Sequence, residues 1–168
     1  MNLIYLSLGS NLGRREQHLE EALKLIQSRI GRIEAISSYY ESEPWGYTSE
    51  NWFCNCCVSL RSNLQPLVLL DRVLAIEKEM GRERRGAGYG DRIIDIDLLF
   101  YGDKRLDHPR LSLPHPSMGD RRFVLIPLAE IAPDHQHPVN GLTTRQMIRN
   151  LTDYEAADFR KIAWQDTE

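Results

Sequence analysis

The sequence predicts an α+β fold with a ferredoxin-like βαββαβ core, an antiparallel sheet with helices packed on it, joined by long active-site loops. Three observations carry that expectation. Apolar, β-branched runs alternate with amphipathic helical stretches in the order strand, helix, strand, strand, helix, strand. No repeat, low-complexity tract or linker interrupts the 168 residues, so one domain, 1–168, is expected, with about 151–168 as its weakly specified C-terminal extension. The fourth strand pairs an apolar face with two carboxylates.

Residues 3–8 (Leu-Ile-Tyr-Leu-Ser-Leu) have strand composition and stop at the turn cluster Gly9-Ser10-Asn11. A helix follows, with Leu19, Ala22, Leu23, Ile26 and Ile30 on one face and Gly31 as its C-cap. Residues 32–40 and 53–60 read as the second and third strands. The connection between them is too long for a tight hairpin and too aromatic for a plain linker. Pro66 opens a second helix that ends at Gly81. After the fourth strand, 92–102, two prolines keep 111–116 extended. A short helix over 120–131 and a last one from Thr143 or Thr144 to Asn150 complete the reading.

Within Arg92-Ile93-Ile94-Asp95-Ile96-Asp97-Leu98-Leu99-Phe100-Tyr101-Gly102, side chains alternate, so Asp95 and Asp97 share a face about 7 Å apart at their Cα atoms. Ile94, Ile96, Leu98 and Phe100 are expected on the opposite, core-facing side. Two anions held side by side call for a counter-charge, and a hard cation such as Mg2+ takes oxygen ligands. Solvent-facing aspartates or structural pairing with arginines would also satisfy the pattern. The preceding segment, 81–92, holds four glycines and four arginines, a composition suited to close backbone approach and to phosphate oxygens. An acidic pair beside an arginine-glycine loop is the layout of a Mg-polyphosphate site.

A formal net charge of −3 argues against a broad basic surface for nucleic acid. The three cysteines, Cys54, Cys56 and Cys57, crowd into one strand and read as buried thiols in a reducing compartment. The amino terminus lacks the features of a signal peptide, and no run of about 18 apolar residues spans a membrane. A soluble cytoplasmic protein is expected.

Collinear motifs then identify a likeness. Leu8-Gly9-Ser10-Asn11-Leu12, Phe53-x-Asn55, Arg92-x-x-Asp95-x-Asp97, Pro114-His115-Pro116 and Arg121-x-Phe123-Val124-Leu125-x-Pro127-Leu128, within residues 3–150, resemble the hydroxymethyldihydropterin pyrophosphokinases of folate biosynthesis. The resemblance implies transfer of pyrophosphate from ATP to the hydroxymethyl oxygen of 6-hydroxymethyl-7,8-dihydropterin, releasing AMP, with Asp95 and Asp97 bridging two Mg2+ ions and Arg82 and Arg92 assisting. By the same likeness Phe53 and Phe123 stack the pterin, Asn55 reads its edge, and Ser42, Pro44, Trp45 and Gly46 form the pterin-side loop. Arg84 and Tyr89 belong to the mobile phosphate loop. His115 and Arg121 reach the triphosphate and Arg110 and Ser112 the ribose, while Leu70, Leu74, Glu77 and Leu98 complete the nucleotide set.

The 81–92 loop is expected to be open in the free protein and to close once both substrates are bound, because its four glycines make ordering costly and its arginines repel until phosphate oxygens arrive. A monomer acting on small molecules is expected, with neither nucleic acid nor membrane as a partner. Three departures stand out: Tyr89 where tryptophan is frequent, Phe53 where tyrosine is frequent, and Asp91 where proline or a small residue is frequent. His135-x-His137, in a proline-flanked loop without a third ligand, reads as surface and not as a transition-metal site. Competing readings are a Mg-dependent nucleotidyl transferase or nuclease, which calls for a basic track, and a non-catalytic ferredoxin-like module, which has no use for the carboxylate pair.

Overall fold

The computed structural model describes residues 1–83, 90–151 and 159–162. Strand β1 (Asn2–Ser10) runs through the middle of an antiparallel sheet, between β5 (Asp95–Tyr101) and β4 (Phe53–Ser62). The far edge of β4 is shared by β2 (Arg32–Ile36) at one end and β3 (Tyr40–Ser42) at the other. Helix α1 (Arg15–Arg29) follows β1 and α2 (Pro66–Glu79) follows β4, which is the expected ferredoxin-like arrangement. A small hairpin, β6 (Leu106–His108) with β7 (Leu111–Leu113), leads to α3 (Arg122–Ile131) and α4 (Thr144–Arg149). In the C-terminal extension β8 (Phe159–Lys161) adds to β3.

The sheet buries both faces. On one, Leu19, Ala22 and Ile26 of α1 and Leu69, Val73 and Ile76 of α2 pack on Ile4, Leu6, Leu8, Cys56, Val58 and Leu60. Each large aliphatic side chain buried here contributes about 1.5–3 kcal/mol. On the other, Val124, Leu125 and Leu128 of α3 and Met147 of α4 cover Tyr5, Cys57, Leu99 and Phe100. Those helices cover only part of the second face, and the remainder is the floor of a cleft. All three cysteines are buried free thiols. No helix among the described residues is long and apolar enough to cross a membrane.

Local details depart from the expected pattern for identifiable reasons. The single strand expected over 32–40 is two, because Ser37 interrupts the ladder: its N–H donates to Cys57 O at 2.9 Å, and its hydroxyl accepts the Cys57 N–H at 2.9 Å. The alternation expected through Phe100 breaks one residue earlier. Tyr5 opposes Phe100 while Leu6 opposes Leu98, so Leu99 is an extra residue in a β-bulge. Ile94, Ile96 and Leu98 keep to the α1–α2 side, whereas Phe100 is turned to the α3 side and Tyr101 takes its place. Gly31 matters for closeness more than for capping, since a Cβ there would lie 2.1 Å from the Arg61 carbonyl oxygen. Helix α3 starts at Arg122, after a 3-10 turn over Met118–Asp120. Helix α4 is capped by Thr143, whose hydroxyl accepts the Gln146 N–H while the Gln146 side chain accepts that of Thr143.

Candidate active site

The cleft is built on the ends of the central strands. Asp95, Gly9 and Asn55 lie in register across β5, β1 and β4, with Tyr40 of β3 next in the row. One step along, Asp97 opposes Ser7. Strand alternation thus places Asp95, Asp97, Ser7, Gly9, Phe53 and Asn55 on one face. Glycine at position 9 keeps that floor open, because a Cβ would stand 3.0 Å from Asn55 Oδ1 and 3.4 Å from the Phe53 ring. Asn55 Nδ2 donates to Ser42 Oγ at 2.8 Å, which fixes the buried carboxamide. Arg121 and Phe123, at the start of α3, form one wall, and Glu43, Trp45 and Tyr47 of the β3–β4 loop form another. Together they enclose about 500 Å³, part of it open to solvent. In that loop Gly46 has φ 84°, a conformation that favours glycine.

Charge is concentrated at one end. Asp95 pairs with Arg82 Nη1 at 2.8 Å and with Arg92 Nη1 at 3.3 Å, while Asp97 lies 3.8 Å from Arg121 Nη1. Burial, followed by repulsion from Asp95, pushes the Asp97 carboxyl up to about 7 against the pull of Arg121 and Arg82. Burial is the larger cause and the neighbouring Asp95 adds to it, and a cation with a preference for oxygen would offset both. No group of three or more His, Cys, Asp or Glu ligands occurs among the described residues.

The surrounding cations lie against π-faces. The Arg121 guanidinium sits 4.7 Å from the Trp45 ring centroid and 5.6 Å from that of Phe123, and Arg92 sits 5.9 Å from that of Phe53. Arg121 Nε is buried without a hydrogen-bond partner among the described residues, a donor still unspent. Burial, with Arg121 adding to it, lowers His115 to about 4. Its Nδ1 accepts the Ser117 N–H at 3.1 Å, so the neutral ring carries its proton on Nε2.

Comparison with known proteins decides the family. Residues 5–133 match the model of 7,8-dihydro-6-hydroxymethylpterin-pyrophosphokinase. A 2-amino-4-hydroxy-6-hydroxymethyldihydropteridine pyrophosphokinase of Porphyromonas gingivalis is 47% identical over 136 residues, covering 79% of this chain and 92% of the relative. The chain belongs to this pyrophosphokinase family. A relative of the same name from Bacillus subtilis is 36% identical over 86% of this chain and 87% of its own length. Among solved structures, an HPPK-DHPS in complex with substrates superposes with TM-score 0.74 at 17% identity, over 88% of this chain and 43% of that one. That likeness concerns the fold alone.

As a pyrophosphokinase, the chain brings together nine of the residues singled out from its sequence: Ser42, Trp45, Phe53, Asn55, Arg92, Asp95, Asp97, Arg121 and Phe123 all line the cleft. Pro44 lies between two lining residues, and Trp45 remains 40% exposed. Leu98 and Glu77 of the expected nucleotide set are not among those lining the cleft. Leu98 is 3% exposed and packs in the α1–α2 core, because its position in β5 alternates away from the aspartates. Glu77, 2% exposed, accepts the Ile96 N–H at 3.0 Å and pairs with Arg82, so it braces β5 from beneath. Leu70 and Leu74 are half-buried on α2. Arg110 pairs with Asp71 of that helix at 2.5 Å, and Ser112 is exposed on β7. Arg84 and Tyr89 lie outside the described residues, as does most of the loop expected to close. Sequence reasoning did not single out Ser7, Glu43 or Tyr47 as lining the cleft. Ser7 could have been found from the alternation that places it beside Gly9.

Proposed function

We propose that this chain transfers the pyrophosphoryl group of ATP to the hydroxymethyl oxygen of 6-hydroxymethyl-7,8-dihydropterin, releasing AMP, with two Mg2+ ions held by Asp95 and Asp97. The observation that supports this reading best is the shared floor. Asp95 and Asn55 are joined through Gly9 in one row of the sheet, so the phosphate-side carboxylates and the pterin-side amide face a single cleft.

Phe53 and Phe123 present the aromatic surfaces between which a flat ring stacks, and Asn55 supplies an amide able to pair with its edge. With the pterin so held, its hydroxyl meets the β-phosphorus of ATP near the aspartates. The new bond forms from that oxygen to phosphorus, the bond from phosphorus to the oxygen bridging the α-phosphate breaks, and AMP leaves with the electron pair. When bound, Mg2+ neutralises the triphosphate and eases loss of the hydroxyl proton. Arg82 and Arg92 neutralise Asp95 in the free protein and are near enough to exchange that contact for phosphate oxygens. Arg121, with its unspent Nε, and His115, donating from Nε2, are suited to the same charge. Trp45 and Tyr47 wall the pterin side of the cleft.

The same reading makes 1–168 one catalytic domain, acting as a cytoplasmic monomer on two small molecules. The test is product analysis with ATP, Mg2+ and the hydroxymethyldihydropterin, in which AMP forms in equal amount with the pterin pyrophosphate. ADP as the product, or AMP formed without pterin, overturns the proposal.

A further inference from the structure

Glu130 stands at the surface near the end of α3, yet donors from the sheet hold its carboxylate. Oε1 and Oε2 accept the Ser38 N–H at 2.7 and 3.2 Å, and Oε2 also accepts from Tyr40 OH at 3.0 Å. Desolvation by itself raises this carboxyl, but the bonds from Ser38 and Tyr40 and the charge of Lys161 hold it below its ordinary range. Burial, with Glu130 adding to it, pushes the Tyr40 hydroxyl up to about 12. The pair is therefore an ionised acceptor and a protonated donor, and charge-assisted hydrogen bonds are roughly twice as strong as neutral ones.

The placement of these groups ties them to the cleft. Phe123 and Glu130 are seven residues apart, two turns of α3, so they share one stripe of the helix about 10 Å apart along its axis. Tyr40 and Asn55 are paired across β3 and β4 and point to the same face, that of the cleft and of α3. The helix stripe thus meets the sheet row at two points: Phe123 lines the cleft with Asn55, and Glu130 grips Tyr40. Ser38 and Tyr40 belong to β3 and the link before it, so the grip is on the sheet and not on the β3–β4 loop. The apolar contacts of Val124, Leu125 and Leu128 hold α3 down without direction, which leaves it free to turn or slide slightly. Cys57 Sγ donates to Val124 O at 3.5 Å, a weak bond, whereas the contacts of Glu130 are directional and carry charge.

We propose that Glu130 is a positioning residue: by gripping Ser38 and Tyr40 it sets the rotation and height of α3 over the sheet, and with them the distance of Phe123 from the floor at Phe53 and Asn55. The inference rests on the function proposed above. Its physical basis is that a stacked ring tolerates little error, since the groups of a site must be held within about 0.5 Å of their working geometry.

The test combines steady-state turnover with calorimetric titration of 6-hydroxymethylpterin, a stable oxidised analogue, into the full chain already saturated with a nonhydrolysable ATP analogue and Mg2+. Glu130→Ala is expected to weaken pterin binding and to raise the pterin KM about fivefold or more, while the KM for ATP stays within about twofold of wild type. Glu130→Gln keeps an acceptor oxygen at the same reach and should recover most of the loss. Glu130→Asp keeps the charge but is one methylene shorter, and should not. Tyr40→Phe retains the ring and removes one donor; it should weaken pterin about two- to threefold and add nothing in the Glu130→Ala background. Wild-type pterin affinity in Glu130→Ala or, should that variant not fold, in Tyr40→Phe would overturn the proposal. Equal weakening of both ligands, or rescue by aspartate and not by glutamine, would do the same. A wild-type protein that binds no pterin even when loaded with the nucleotide analogue would instead defeat the proposed function.

Discussion

Replacing Glu77 by alanine removes the carboxylate that supports both β5 and Arg82, and the structure sets the size of the effect. The first loss is the acceptor for the Ile96 N–H, a bond of 3.0 Å beneath the sheet. A buried N–H left without a partner costs about 1–3 kcal/mol. The second loss is one of two anions on Arg82, whose side chain is only 11% exposed. Stranding a buried charge costs about 3–5 kcal/mol, but Arg82 keeps Asp95 at 2.8 Å, which reduces this component to about 1–2 kcal/mol. The sum is about 3 kcal/mol, or a fall in Tm of roughly 6–12 °C for a chain of this size. Glu77→Gln retains an acceptor for Ile96 and should lose only about 1 kcal/mol. Thermal melts followed by circular dichroism, with urea midpoints at neutral pH, measure both variants. A Glu77→Ala protein melting within about 2 °C of wild type, or a glutamine variant as damaged as the alanine one, would show that Glu77 does not brace β5.

Asp97→Ala should leave the protein folded and reduce turnover by several orders of magnitude, with Asp95→Ala behaving alike; near-normal AMP release from either purified variant would remove the pair from the metal site. Phe123→Ala should weaken pterin binding by roughly 1–3 kcal/mol and leave the nucleotide nearly untouched. Calorimetry showing both ligands weakened equally would make Phe123 a packing residue. His115 is held down to about 4 from 6.5 by burial and Arg121, so it remains neutral when folded but takes up a proton when unfolded. Its contribution is present above pH 6.5 and is lost as pH falls through about 4, at most about 3 kcal/mol. Urea denaturation across that range should show a shallower acid loss in His115→Gln than in wild type, and parallel curves would refute the assignment.

Period and composition determined the parts of this protein that depend on neighbours in the chain. Alternation alone put Asp95 and Asp97 on one face of a strand, and the spacing of Leu19, Ala22, Leu23 and Ile26 made the buried face of α1 legible. The likeness of several motifs to one family brought Phe53, Asn55, Arg121 and Phe123 into a single expected site, and the cleft contains them all. The tertiary structure decided whatever depends on register or on a distant partner. The bulge at Leu99 that turns Phe100 across the sheet arises from the pairing of β5 with β1, which no pattern within β5 specifies. Ser37 divides one apparent strand because it meets Cys57, and Gly9 is needed because Asn55 stands over it. Glu77 reads on its own as a polar helix residue; only packing against β5 buries its carboxylate under Ile96 and Arg82. Asp91 reads as one more loop charge, and its four donors, Asn11, Tyr47, Ser49 and Asn51, lie 40 or more positions away in the chain. Hydrogen bonds and ion pairs act over a few ångströms, so what they join is fixed only after the fold has brought distant segments together.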